Sequence, residues 1–143
     1  MNASAVAEQL GGPGVLQHEI RTELDLIAAL QEGLPATTLD TLVASGALSA
    51  REVEELIIPR RTLAHRRQKR QRLSAEESDR AARVARAIVL AEDTFQNAEK
   101  AAHWLRKPNR GLGGQVPLEL LRTSQGAALL ERALGQIGHG IFA

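Results

Sequence analysis

The sequence predicts an all-α protein, and three observations carry that expectation. Aromatic residues are scarce (two Phe, one Trp, no Tyr), so a core must be built from Leu, Ile, Val and Ala. Without β-branched or aromatic clusters, that composition favours helices over strands. Apolar residues recur at helical spacing rather than in alternation. Two Ser-x-x-Glu sequences, Ser49-Ala50-Arg51-Glu52 and Ser74-Ala75-Glu76-Glu77, read as capping boxes, in which the serine oxygen accepts an early N–H and the glutamate reaches back. At 143 residues the chain makes one domain, or two small ones sharing a core, and buries roughly 68–70% of its unfolded surface without staples.

Residues 1–14 are small and polar and end in Gly11-Gly12-Pro13-Gly14, which reads as a flexible N-terminal arm. Over residues 15–31, Leu16, Ile20, Leu24, Ile27 and Leu30 space out one helical stripe, and Gly33-Leu34-Pro35 stops it. A short helix over Thr37–Ala44 should turn Leu39, Leu42 and Val43 inward. The Ser49 box opens the next helix, with Val53, Leu56 and Ile57 inward. Pro59 ends that helix and suits the first turn of another, where its missing N–H costs nothing. The Ser74 box launches a long helix to about Phe95, with Ala81, Val84, Ala85, Ile88, Ala91 and Phe95 on one stripe. Asn97 caps a helix over Ala98–Arg106, and Pro108 closes it. Glycines at 111, 113 and 114 make residues 109–116 a loop, residues 117–121 one or two helical turns, and residues 124–137 the last helix, with Leu130, Ala133, Leu134 and Ile137 inside.

Charge divides the chain. Residues 59–72 hold seven Lys and Arg and no acid, residues 1–58 are net −7, and residues 73–143 are net +1. A nearly neutral total thus hides a segment that attracts polyanions. Residues 49–57 and 60–68 pair as a helix-turn-helix, with Leu63 as the anchor of the second helix and its cations on the opposite face. The plain alternative is a solvated basic helix. The connection lacks the glycine common in such turns, and Val53 stands where a small residue is usual.

Other motifs carry less. Trp104 on a short helix reads as a core anchor. Gly111-Leu112-Gly113-Gly114 has no preceding strand and no lysine in place for a phosphate loop. Ile141 and Phe142, near the end of the tail, must fold back or enter a partner. His18, His65, His103 and His139 lie in no metal-binding frame, no serine sits in a nucleophile elbow, and Glu76, Glu77 and Asp79 suit a helix N-terminus anyway. A non-enzyme without cofactor or metal is expected. No cysteine is present, no apolar run approaches the ~20 residues that span a bilayer, and the N-terminus has no signal-peptide pattern; a cytoplasmic location follows as the expectation.

From Leu73 onward, an ordered series resembles the Xre/MbcA/ParS-type antitoxins, partners of RES-domain toxins. It runs through Leu73-Ser74-Ala75-Glu76-Glu77-Ser78-Asp79-Arg80, Trp104-Leu105-Arg106-Lys107-Pro108-Asn109, Gly113-Gly114-Gln115-Val116-Pro117-Leu118-Glu119-Leu120-Leu121, Thr123 to Gly126, and Ile137-Gly138-His139-Gly140. Ile58-Pro59-Arg60-Arg61-Thr62-Leu63-Ala64-His65-Arg66 resembles the Xre-like helix-turn-helix of the same antitoxins. The likeness covers roughly residues 35–143. It implies a DNA-binding region over residues 15–72, joined by a long helix to a toxin-binding module over residues 73–143. It implies an antitoxin that represses its own operon and closes the active site of a toxin that consumes NAD or transfers ADP-ribose. Since operators are usually two-fold symmetric, a homodimer or a higher, toxin-bridged toxin–antitoxin assembly is expected. The residues it points to for operator DNA are Arg60, Arg61, Thr62, His65, Arg66, Arg67 and Lys69. For the toxin they are Arg132, Gln136, Ile137, His139, Gly140, Ile141 and Phe142, with Trp104, Leu105 and Pro117 folding the module. Two other readings stay open: a stand-alone dimeric helix-turn-helix regulator, and a small RNA-binding protein, which so few aromatics would serve poorly.

Overall fold

The computed structural model describes residues 3–140. Among them every regular element is helical: α1 (Ala3–Gln9), α2 (Gly12–Leu16), α3 (Glu23–Glu32), α4 (Thr37–Ala44), α5 (Ala50–Leu56), α6 (Arg60–Gln68), α7 (Ala75–Phe95), α8 (Ala98–Arg106) and α9 (Ser124–Gly138), with 3₁₀ turns at Arg110–Leu112 and Pro117–Arg122. The chain divides into two compact units, Met1–Ala85 and Arg86–Ala143, and α7 runs through the division.

In the first unit the expected N-terminal arm is instead a packed helix. Ala3, Val6, Ala7 and Leu10 recur at i, i+3, i+4 and i+7, and all four are buried. Small residues made that stripe look like loop, yet α1 lies against α2 and α3. The helix expected over residues 15–31 is also broken. Gln17 takes a left-handed conformation at the end of α2. The chain restarts at Thr22, whose oxygen accepts from the Asp25 N–H while the Asp25 carboxylate accepts from the Thr22 N–H. That second cap resets the helical phase. Leu26 and Ala29 are consequently buried, while Leu24 and Ile27, expected inside, are 77% and 46% exposed. Val43 is likewise exposed, whereas Leu39 and Leu42 are buried as expected.

From α4 onward the helix bounds follow the sequence closely. Both serine boxes form: Glu52 and Glu77 accept from the N–H groups of Ser49 and Ser74, and return their own N–H to the serine oxygens. The turn between α5 and α6 does without glycine. Ile57 and Ile58 are buried in it, both of their N–H groups go to the Val53 carbonyl, and Arg80 donates to the Ile57 carbonyl at 2.8 Å. Burial of each such side chain contributes about 1.5–3 kcal/mol, enough to hold a turn that lacks a flexible residue.

The first half of α7 belongs to this unit, so the division falls later than the change of composition at residue 73. Leu73 N–H donates to the Leu34 carbonyl at 2.9 Å, and Leu34 N–H donates to the Ser78 hydroxyl at 2.8 Å. The approach is close at Gly33, where φ is +98° and a β-carbon would meet the Leu73 carbonyl oxygen. Only glycine satisfies both conditions.

The second unit is built around α9. Asn97 caps α8 through Lys100 N–H at 2.9 Å, and α8 buries Ala101 and Leu105. Asn109 organises the following loop: its side chain accepts from Gly111 N–H and its backbone pairs with Gln115. Pro117, Leu118 and Leu121 are buried in the second 3₁₀ turn, against which α9 packs. Thr123 caps α9 through Gly126 N–H, and Leu130 and Leu134 point into the core. Gly126 sits so close to the Leu120 carbonyl oxygen that a β-carbon there would collide with it. Among the described residues no helix is long and apolar enough to cross a membrane.

Candidate functional site

Helix α6 has no fully buried residue. Leu63 is half-buried, so most of what fixes the pose of this helix is ionic. Arg66 Nε and Nη2 donate to the two carboxylate oxygens of Glu77 at 3.1 and 3.2 Å, and its Nη1 reaches Gln71. The two side chains are only 25% and 8% exposed. Glu77 therefore caps α7 and grips α6 at once. Burial works to raise its pKa, but the hydrogen bonds from Arg66 and from Ser74 N–H overcome that, and the carboxyl lies below its ordinary value.

A second strut joins α6 to α4. Arg67 donates through both terminal nitrogens to Asp40, at 3.1 and 2.8 Å, in a more exposed setting that weakens the pair. Arg72, beyond α6, donates to the Gly33 carbonyl and lies near Glu32. These three arginines hold the segment against its own unit. Arg66 and Arg67 were expected among the outward readers. Their partners lie 11 and 27 residues away, which local spacing does not reveal.

The opposite face is different. Arg61, His65 and Lys69 follow one another at i, i+4 and i+8, and all are exposed. Their side chains have no hydrogen-bond or ion-pair partner among the described residues. Arg60 lies at the first turn, 3.9 Å from Glu54 and open to solvent, and Thr62 is half-buried. Two residues not singled out from the sequence extend this face: Gln68, within α6, and Arg70, exposed in a left-handed conformation just past its end. A helical wheel drawn from Leu63 would have shown Gln68. Nothing local would have shown the turn at Arg70.

The C-terminal candidates separate in the same way. Arg132 is exposed and Gln136 half-buried, and they share a face of α9 with Leu129, which is 40% exposed and was not expected there. Ile137 is half-buried on the side of Leu130 and Leu134, so it belongs partly to the packing. His139 ends the helix, and the exposed Gly140 turns with φ +75°. Ile141 and Phe142 lie outside the described residues. Leu105 and Pro117 are buried, whereas Trp104 is only half-buried. No group of three or more His, Cys, Asp or Glu that could hold a metal ion occurs among the described residues.

Comparison with known proteins matches both regions. Residues 25–86 match the antitoxin Xre-like helix-turn-helix domain, and residues 90–140 match the antitoxin Xre/MbcA/ParS C-terminal toxin-binding domain. An "Antitoxin Xre" from Pseudomonas putida is 37% identical over 122 residues, covering 85% of this chain and 76% of the relative. Another from Photorhabdus laumondii is 35% identical over 118 residues, covering 81% and 80%. A "Prs ADP-ribosylating antitoxin" from a Sphingobium species is 31% identical over 130 residues, covering 84% and 82%.

Proposed function

This chain belongs to the Xre/MbcA/ParS antitoxin family, and on that premise we propose that it silences a RES-domain toxin by occluding its active site and represses its own operon as a dimer bound to operator DNA. The observation that carries the reading is the division of labour within α6. Its inward arginines are consumed by Glu77 and Asp40, and its outward cations are left unspent. A helix posed in this way can lie in a major groove, with Arg60, Arg61 and Thr62 near its N-terminal end facing base edges and His65, Lys69 and Arg70 meeting phosphates. Arginine is suited to the base contact because its planar fork bridges the two acceptors of guanine. Arg66 and Arg67 act by holding the reader in position.

The toxin face is the stripe of α9 that carries Leu129, Arg132 and Gln136, followed in sequence by His139, Gly140, Ile141 and Phe142. A few apolar anchors in a pocket carry most of the affinity of such a plug, with polar neighbours excluding water around them. The name of the Sphingobium relative refers to ADP-ribosylation, which supports a toxin that uses NAD.

Co-expression with the RES-domain product of an adjoining gene tests this reading. The intact chain should restore growth and copurify with the toxin. The Ile141→Asp/Phe142→Asp variant should lose both while still retarding operator DNA. Continued neutralisation by that variant removes the tail from the mechanism, and an intact chain that neither rescues nor copurifies defeats the toxin-binding reading itself.

A further inference from the structure

The outer face of α8 forms a groove that lies outside the faces proposed above for DNA and for the toxin. Helix α8 buries Ala101 and Leu105 and turns Lys100, His103 and Trp104 the other way, at i, i+3 and i+4, with Lys107 just past its end. With Phe95 on one side and Arg110 on the other, these residues line an open groove of about 780 Å³, within the range of small-molecule sites. The rings of Phe95 and Trp104 meet with centroids 5.6 Å apart and a 47° tilt. Both are half-buried, and Lys100, Lys107 and Arg110 are exposed without an ion pair among the described residues. Glu99 is the single acid in the lining.

We propose that this groove binds a free nucleotide, its base stacked on Trp104 and its phosphates held by Lys107, Arg110 and Lys100. The occupant follows from what the lining must satisfy. An acidic peptide would answer the cations and leave the aromatic face uncovered. An apolar helix would cover the rings but strip water from three unpaired cations. A nucleotide presents a flat π-surface and adjacent negative charge together, and aromatic stacking with cations along the phosphates is how bases are held without sequence readout. Because the two rings pack on each other, they offer one stacking face. That suits one base rather than a strand, which needs a succession of platforms.

Trp104 is the only tryptophan and the chain has no tyrosine, so intrinsic fluorescence reports this groove alone. Titration of the full chain with ADP should quench that fluorescence to saturation. Adenosine, lacking the phosphates, should need about tenfold more ligand for the same effect. The Lys107→Glu/Arg110→Glu variant should bind ADP about tenfold more weakly or worse, with an unchanged melting curve; if charge reversal unfolds the unit, the milder Lys107→Gln/Arg110→Gln variant serves the same comparison. Quenching that rises linearly without saturating overturns the proposal, as does equal binding by the folded charge variants. Saturation by a single-stranded oligonucleotide but not by ADP overturns it too, in favour of a strand. Operator retardation and toxin rescue are read separately, so failure here and failure of the antitoxin reading remain distinguishable.

Discussion

Helices α6 and α9 both lie at the surface and both carry proposed binding faces, yet opposite forces hold them. Helix α9 is seated by Leu130 and Leu134 in an apolar core, and by a backbone approach at Gly126 that leaves no room for a methyl group. Helix α6 buries nothing fully and is posed by two arginine–carboxylate struts around a half-buried leucine. Apolar seating does not titrate and is not weakened by ionic screening, whereas ionic seating responds to both pH and salt. Placing the two proposed binding faces on two kinds of support means that each can be disturbed without the other.

The largest effect should come from the apolar side. Gly126→Ala drives a β-carbon into the Leu120 carbonyl oxygen, a backbone atom that cannot step aside, and should lower stability by about 2–4 kcal/mol, comparable to emptying a leucine site in a core. Chemical denaturation should show the loss, and toxin rescue should fail while α6 keeps its operator contacts. A normal melting curve would mean that α9 is seated less tightly than its backbone approach indicates.

Next comes the buried strut. Glu77→Ala removes a cap and leaves Arg66, three-quarters buried, without its carboxylate, for an expected loss of about 2–3 kcal/mol. The same strut predicts acid sensitivity. The folded Glu77 has a pKa below its ordinary 4.5, so the unfolded chain takes up the proton first as pH falls. The stability this group contributes is full above about 4.5 and drains away as pH drops through the folded value. Asp25, whose carboxyl is lowered chiefly by the Arg21 and Thr22 N–H groups, moves in the same direction within the same unit. Amide exchange followed between pH 6 and 3 should therefore open α6 in the wild type, and the acid-dependent part should shrink in Glu77→Gln. Identical profiles in the two proteins would discard the strut as the cause.

The smallest stability effects separate reading from holding. Arg61→Ala should leave the melting curve within about 0.5 kcal/mol, yet weaken operator binding by about 1–3 kcal/mol. Arg67→Ala should cost about 0.2–1 kcal/mol of stability, since its pair with Asp40 is exposed. If Arg67→Ala weakens DNA binding more than Arg61→Ala does, the two faces of α6 have been assigned the wrong way round.

What the sequence showed of this molecule was set by the range of the forces involved. Caps are local. Ser49, Ser74, Asn97 and Pro59 act within a turn of where they stand, and the bounds of α5 to α8 could be read from them. The first 32 residues were harder. In α1 the buried stripe is mostly alanine and valine beside a glycine pair, and the phase of α3 depends on a cap at Thr22 that interrupts an apparently continuous stripe. The face of α6 opposite Leu63 was legible from spacing at Arg61, His65 and Lys69. The inward turn of Arg66 and Arg67 was not, because it is decided by carboxylates brought near only by folding. Leu129 escaped for the converse reason: an exposed leucine on an amphipathic helix has no signature until the buried side is known.

The struts of α6 also bear on how such a chain can change over generations. Posture and vocabulary are written at different positions: Arg66, Arg67, Asp40 and Glu77 set where the helix lies, while Arg61, His65 and Lys69 face outward with nothing depending on them inside the fold. If the outward stripe reads the operator as proposed, a lineage can exchange those three residues for others, and with them its cognate site, without renegotiating its fold. Substitutions at 66 and 77, by contrast, must arrive together or in quick succession. On the same proposal, newly duplicated copies would diverge first on the outward stripe, the shortest route by which two sister operons in one genome could stop answering to each other's antitoxin.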